Sequence, residues 1–270
     1  MPASLIDFNT FVFADGNAGH VIDLGSALAA NEEDVLCVNS NTVVSTPAGF
    51  TAGPTAVDGQ GAYIFRRKDS GAQLVTITTA GNHNTSVIWS RWGNINAADN
   101  AKATIATGAG SSSPAHSTDA LAETNELCIA FAALHSLGAP LPTAPVWSAG
   151  YTPLAETLQG SGSAGVIGYV AYRLDAGTAP ESPSVTWTNA SASDRYMLTL
   201  TFTTLSGGLT IPLATVTETD VAGTLTPKKR RLLVTATEVD AAGTITPVRP
   251  VVPDLSVVVA PQRAVVISDG

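Results

Sequence analysis

The chain is poor in charged residues. Only 13% of its 270 residues are Asp, Glu, Lys or Arg, whereas roughly a quarter are charged in an average soluble domain. Residues 1–205 contain sixteen acidic and seven basic residues, a net charge of −9, and residues 206–270 are neutral. Because phosphate binding needs a basic surface, the acidic body argues against a nucleic-acid partner.

Cysteine and long apolar runs are also scarce. The two cysteines, Cys37 and Cys128, lie in strand-like apolar runs. They are expected to be buried free thiols, although a disulfide between them stays open. No apolar run approaches the roughly 18 residues of a membrane-spanning helix. The N-terminal MPASLIDFNTF lacks the basic and apolar regions of a signal peptide. We therefore expect synthesis in the cytoplasm and no membrane association.

Catalytic signatures are missing. The sequence has no GxSxG, HExxH, CxxC or phosphate-binding loop, and we expect neither an enzyme nor a cofactor or metal. His116 and Asp119 form the best local pair, but a metal site needs further ligands. The sequences DGN (15–17) and DGQ (58–60) read as tight turns and not as calcium loops. Four isolated histidines are expected in turns or at the surface: His20, His83, His116 and His135.

The residues that are abundant favour strands. Thr, Val, Gly and Ala dominate, and β-branched residues pack well on a pleated surface. Short apolar or alternating runs predict strands near residues 9–14, 19–24, 34–39, 62–67, 73–79, 85–92, 102–107, 126–134, 167–173, 184–189 and 196–203. About eleven short strands without helices indicate an all-β, jelly-roll-like antiparallel β-sandwich over residues 1–205.

The body also contains an internal echo. The phrases LCVN…AGF…FRR in its first part resemble LCIA…AGY…YR in its second part, with offsets that grow from 91 to 110 residues. Longer surface loops in the second part explain the growing offsets. The matched positions are Cys37 with Cys128, Phe50 with Tyr151, Phe65–Arg66 with Tyr172–Arg173, and Val75 with Val185. Chance alignment of two β segments is the alternative.

The composition of the chain changes at residue 206. Residues 206–253 form a linker in which TETDVAGTLTP (217–227) is nearly repeated as TEVDAAGTITP (237–247). Each copy predicts a strand, a turn and a short strand. Two repeats are too few to bury a core of their own, so residues 254–270 are expected to dock as a strand on another subunit. Candidate assembly contacts are the basic cluster Lys228, Lys229, Arg230 and Arg231, which otherwise reads as a solvated patch, and Val257, Val258 and Val259.

Aromatic residues supply the candidate ligand-stacking positions. Alternation along a strand places Trp89 and Trp92 on opposite faces, so one of them can lie in the core and the other can be exposed. Trp147 and Tyr151 flank a proline-rich loop and form the other expected exposed pair. Exposed aromatic rings can stack on sugars, although core or subunit packing is the alternative for each. The candidates are Trp147, Tyr151 and Trp92.

The phrases AGYT (149–152), GYVAYR (168–173) and SVTWTNASAS (184–193), followed by the doubled TETD-type repeat, resemble structural β-sandwich proteins of tailed phages of actinobacterial hosts. The resemblance covers residues 120–250. It implies a virion protein of minor-tail, capsid-fibre or decoration type, assembled with copies of itself, a trimer being favoured, and with neighbouring virion proteins. The alternative is a carbohydrate-binding module for host adhesion. A polysaccharide depolymerase is a third reading, for which no acid pair stands out.

Overall fold

The computed structural model describes residues 2–14, 18–68, 71–81, 83–160, 162–189 and 192–205, together with 238–239 and 245–246. The chain divides into two units, Met1–Thr210 and Ile211–Gly270. They are considered separately below. The described part of the chain contains no helix that is long and apolar enough to cross a membrane.

The first unit is built from antiparallel strands, which confirms the all-β prediction. Its first half contains β1 (Ser4–Phe13), β2 (Gly19–Asp23), β3 (Glu33–Ser40), β4 (Val44–Ser45), β5 (Thr51–Val57), β6 (Gly61–Lys68), β7 (Leu74–Thr79) and β8 (Thr85–Gly93). Its second half contains β9 (Ile95–Gly110), β10 (Glu126–Leu137), β11 (Thr143–Trp147), β12 (Thr152–Gln159), β13 (Gly162–Ala176), β14 (Val185–Thr188) and β15 (Ala192–Thr204).

Each half is a sandwich of one large and one small sheet. In the first half, inner sheet 1 has the order β1-β8-β3-β6-β5 and outer sheet 1 has the order β2-β7-β4. In the second half, inner sheet 2 has the order β12-β13-β10-β15-β9 and outer sheet 2 pairs β11 with β14. Alternation between sheets along the chain is typical of jelly rolls.

The sheets form four layers with three apolar cores between them. The two inner sheets pack face to face, with Val35, Ile64 and Trp92 of the first half against Phe131 and Leu198 of the second. Each inner sheet also packs its other face on its own outer sheet. The central strands β3 and β8 are therefore buried at every residue, as expected for strands that are covered on both faces.

The two inner sheets share the same strand order, although outer sheet 1 has three strands and outer sheet 2 has two. Reading inner sheet 2 from β9 gives β9-β15-β10-β13-β12, which repeats the order of inner sheet 1 strand for strand. β1 contacts β12 and β5 contacts β9, so the contacts are reciprocal, as across a two-fold axis. The internal echo in the sequence therefore corresponds to two sandwiches whose inner sheets have one strand order.

Two turns and two strand pairs fix the equivalence of the halves. The amide of Phe50 donates to the Pro47 carbonyl at 3.1 Å, and the amide of Tyr151 donates to the Ser148 carbonyl at 3.3 Å. The glycine before each aromatic residue has a positive φ, 81° and 89°, which glycine adopts readily. Thr55 pairs with Tyr63 in one half, and Glu156 pairs with Tyr169 in the other.

The register of the third strands differs from the sequence alignment. Asp34 pairs with Arg67, and Cys128 pairs with Arg173. Because Tyr63 and Tyr169 are equivalent, Arg173 corresponds to Arg67 and not to Arg66, and the sequence match of that pair is wrong by one residue. The counterpart of Cys128 is therefore Asp34 and not Cys37. Cys37 lies between the two inner sheets, whereas Cys128 lies beside the hydroxyl of Tyr151. The sequence alignment matched Cys37 with Cys128 because both lie in similar apolar runs. Identity of residue type does not show which face of the sheet each side chain occupies.

Polar contacts join the halves at one end of the shared core. In the turn at residues 58–60, the carboxylate of Asp58 accepts a hydrogen bond from the hydroxyl of Tyr196 at 2.6 Å. Nδ1 of His135 lies 2.6 Å from Oε1 of Gln60, and its Nε2 contacts Oδ1 of Asn39. The side-chain amide of Asn39 in turn donates to the Ile167 carbonyl at 2.6 Å. These contacts satisfy the polar groups that are buried where the sandwiches meet.

The described residues of the second unit are two short strands. β16 (Glu238–Val239) pairs antiparallel with β17 (Ile245–Thr246). Both strands lie inside the second copy of the repeated phrase, on either side of its predicted turn.

Candidate ligand-binding groove

A groove lies between β11 and β12, where the two sheets of the second half come to an edge. Proline breaks both strands locally. The β11–β14 ladder shifts between Thr143 and Val146, around Pro145, and the β12–β13 ladder shifts between Pro153 and Ala155. Proline cannot donate a ladder hydrogen bond and is therefore found at edges and bulges. These irregular walls leave a gap between the strands.

The groove holds two small cavities in a row. One has a volume of about 170 Å³ and the other of about 100 Å³. Both are lined by Glu156 and Tyr169, so they adjoin one another. The larger cavity is also lined by Trp147 and Pro145 of β11 and by Pro153 and Leu154 of β12.

Tyr169 forms the floor of the groove. Only 2% of its surface is exposed, and its hydroxyl donates to the Pro142 carbonyl at 3.4 Å. Burial raises the pKa of the Tyr169 hydroxyl, and the nearby charge of Glu156 raises it further. Tyr169 therefore stays neutral, and its hydroxyl links the floor of the groove to Pro142, just before β11. The carboxylate of Glu156 stays exposed at the rim.

Trp147 and Tyr151 lie together, but they have different roles. Their rings are stacked at a centroid distance of 6.3 Å and an interplanar angle of 25°. Half-buried Trp147 lines the larger cavity. The hydroxyl of Tyr151 instead donates to the Glu181 carboxylate at 2.8 Å, and Arg173 contacts the same carboxylate at 3.1 Å. Tyr151 therefore supports Trp147 from behind and does not line either cavity.

Trp92 is a correction to the predicted set. It is 0% exposed, its Nε1 donates to Ser90 Oγ at 2.9 Å, and its ring meets Tyr172 edge-on. Trp89, on the opposite face, is only 3% exposed. Alternation correctly separates the two faces, but the candidate role of Trp92 requires that its face be open to solvent. Neither does, because inner sheet 1 is covered on both sides.

The histidines and cysteines form no site in the described residues. His116 is buried, with Nδ1 2.8 Å from Thr104 Oγ1 and Nε2 2.6 Å from Thr199 Oγ1. Asp119 instead pairs with Lys102 at 3.2 Å. His20, His116 and His135 are buried, so the prediction of surface histidines is wrong for these three. Within the described ranges, no group of three or more His, Cys, Asp or Glu side chains is placed to hold a metal.

The cysteines are both buried free thiols, as expected. Burial raises the pKa of Cys37, and it raises that of Cys128 to about 12. Neither thiol is therefore a ready nucleophile at neutral pH, because the thiolate is the reactive form.

The predicted assembly contacts lie outside the described residues. These are Lys228, Lys229, Arg230 and Arg231 of the linker, and Val257, Val258 and Val259 of the C-terminal segment. Their role stays a prediction.

Two residues of the groove escaped the sequence reading, Glu156 and Tyr169. Glu156 could have been found from its position in TPLAETLQ, where it is the only acidic residue of a strand that also contains Pro153. Pro153 masks that strand, because proline argues against a ladder position.

Comparisons with protein-family models, with curated proteins and with solved structures found no match to this chain. The relation to structural proteins of tailed phages therefore stays a prediction from the sequence phrases.

Proposed function

We propose that this protein is a non-enzymatic structural component of a phage virion, located at the tail or the capsid surface. It displays its double sandwich outward and assembles through residues 206–270. The observation that carries the proposal is the core shared by the two inner sheets, which joins the sandwiches without a linker between them. Such a body transmits force without a hinge, because close-packed interiors resist deformation.

The edges of the body favour assembly with neighbouring subunits. β1, β5, β9 and β12 each end an inner sheet, and edge strands present unpaired backbone groups. β1 also exposes apolar side chains, with Ile6 at 48%, Phe8 at 46% and Val12 at 47%. Copies of this chain, a trimer being favoured, and neighbouring virion proteins are the proposed partners, and the virion is the proposed location.

Truncation after Ser206 tests the assembly role. We expect the truncated body to fold but to be lost from purified particles, because its attachment segment is missing. A full-length variant with Lys228, Lys229, Arg230 and Arg231 changed to Ala separates the basic cluster from the rest of the segment. Incorporation of the truncated body at wild-type occupancy would overturn the docking role. Light scattering of the full-length protein measures the trimer directly, and a monomer at high concentration argues against it.

A second candidate function is carbohydrate binding for host adhesion. The specific observation in its favour is the groove, where Trp147 lines a cavity beside an exposed carboxylate. The full-length protein is expected to bind host cells, and an excess of soluble host glycan should compete with that binding. Unchanged binding to cells stripped of surface glycan would remove this candidate. The two functions are compatible, since an adhesion fibre is also a structural component.

A further inference from the structure

We propose that the groove between β11 and β12 binds a chain of neutral sugars, with Trp147 as the stacking platform and Glu156 as the residue that selects against acidic sugars. The inference rests on the second candidate function and deepens it. Its basis is a comparison of the two halves of this molecule, which serve as controls for one another.

The shared turn shows that the aromatic platform is an addition to the second half. Phe50 and Tyr151 occupy the same position in the two hydrogen-bonded turns. Four residues earlier, the first half has Thr46 and the second half has Trp147. The fold therefore does not require a large aromatic residue there. A half-buried Trp that lines a cavity, at a position where threonine satisfies the same fold, points to a ligand.

The carboxylate is a second addition at the same place. Glu156 pairs across the sheet with Tyr169, and its counterpart Thr55 pairs with Tyr63. Both tyrosines are buried against their own outer sheet. The floor is thus common to the two halves, whereas the stacking ring and the charge belong to the second half alone.

The dimensions favour a chain of small units. The two cavities of about 170 and 100 Å³ are each smaller than the roughly 300 Å³ at which pockets begin to enclose drug-sized ligands. They lie in a row along an open groove. A glycan places one small ring after another along such a path, and each ring offers an apolar face for stacking and hydroxyl groups that donate to a carboxylate.

The charge narrows the class of sugar. Glu156 is exposed in a body, residues 1–205, whose net charge is −9. A carboxylate accepts hydrogen bonds from sugar hydroxyl groups, and such charge-assisted bonds are stronger than neutral ones. It repels uronic acids and other anionic sugars, and like-charge contact of this kind is a common source of specificity.

The test is calorimetric titration of the full-length protein with three hexasaccharides. These are β-1,4-linked N-acetylglucosamine, α-1,4-linked glucose and α-1,4-linked galacturonic acid. We expect at least one neutral hexamer to bind and the galacturonic acid hexamer not to bind. Trp147→Thr and Glu156→Thr place the residues of the first half in the groove, and each is expected to weaken binding by roughly tenfold.

Two further variants complete the design. Glu156→Gln keeps an acceptor and removes the charge, so it should retain binding of the neutral hexamer within about threefold and admit the acidic hexamer. Leu74→Ala changes an exposed apolar residue of outer sheet 1 and should leave binding within about twofold. Unfolding midpoints are measured for every variant, because Trp147 also packs on the core. Glu156 is exposed, so its variants report on binding without a change in packing.

The outcomes separate the groove from the adhesion function. Tighter binding of the acidic hexamer than of both neutral hexamers would overturn the proposal. Full-strength glycan binding by both Trp147→Thr and Glu156→Thr would overturn the groove and leave adhesion standing. If none of the three hexamers binds, the proposal of glycan binding in the groove is wrong. The adhesion function is then also wrong only if the protein fails to bind host cells.

Discussion

Asp34 shows how one buried charge is accommodated. It is fully buried and accepts hydrogen bonds from Arg67 Nη2 at 2.8 Å, Arg91 Nε at 2.8 Å and Trp89 Nε1 at 2.9 Å. The sister position is Cys128, where no acid needs compensation, and Arg173 there pairs with Glu181 from a loop instead. The two halves therefore solve the same packing problem with different charges.

We expect Asp34→Asn to be strongly destabilising, because it leaves two guanidinium groups buried without a countercharge. Breaking a buried pair typically costs about 3–5 kcal/mol of unfolding free energy, which urea denaturation would measure. Asp119→Asn removes an ion pair whose side chains are 45% and 76% exposed, and it should cost less than about 1 kcal/mol. Similar losses for the two variants would contradict this account.

The buried histidines predict a pH dependence. Burial lowers the pKa of His135 to about 3, and burial together with the charge of Lys102 lowers the pKa of His116 to about 4. Their unfolded value is about 6.5. Between these values the unfolded state binds more protons, so the unfolding free energy should fall as pH drops below about 6.5, by at most about 1.4 kcal/mol per pH unit for each histidine.

Denaturant titrations between pH 7.5 and pH 5 would measure this dependence. His116→Gln keeps an amide between Thr104 and Thr199 but cannot titrate. It should therefore remove the contribution of His116 to the pH dependence of the unfolding free energy. An identical pH slope in wild type and variant would show that His116 is not responsible.

At the scale of elements, three of the four strands that the sequence missed in the first unit share one cause. β5, β11 and β12 each contain a proline, namely Pro54, Pro145 and Pro153, and each lies at the edge of its sheet. Proline argues against a central strand and is tolerated at an edge. The central strands were predicted close to their observed bounds, and the largest difference, five residues, is at the start of β13. β4 was missed because two residues carry no period.

Gly168 shows how closely elements pack where the halves meet. It lies in β13 on the face toward inner sheet 1. A Cβ there would lie 2.9 Å from Thr157 Oγ1, 3.1 Å from Phe131 Cε2 and 3.7 Å from Ile88 Cδ1 of the other half.

We therefore expect Gly168→Ala to lower the unfolding free energy by about 1–3 kcal/mol, as overpacking does. Thermal unfolding would measure it. Gly177→Ala is the matched control, because no atom lies within 4 Å of the added carbon. A neutral Gly168→Ala would mean that the inner sheets separate more easily than their packing indicates.

At the scale of the molecule, the shared core predicts one cooperative unit over residues 1–205. Each inner sheet loses half of its apolar cover if the other unfolds, so neither sandwich is expected to survive alone. Phe131→Ala, in the second half, should cost about 3–5 kcal/mol and lower the stability of both halves together. Hydrogen exchange resolved for β3 and β10 would measure this, and slow exchange retained in β3 alone would refute it.

The amino-acid sequence predicts most of the strands, the acidic body, the buried free thiols and an internal echo. Each of these follows from local composition and from the period of two, which any strand obeys. What covers each face of a sheet follows from the fold and not from the local pattern. The fold buries both Trp89 and Trp92 and makes Asp34, not Cys37, the position equivalent to Cys128. It also brings Trp147, Glu156 and Tyr169 to one groove. Alternation tells which side chains share a face, but the number of layers, and hence which faces stay open to a ligand, is set by contacts between residues far apart in the chain.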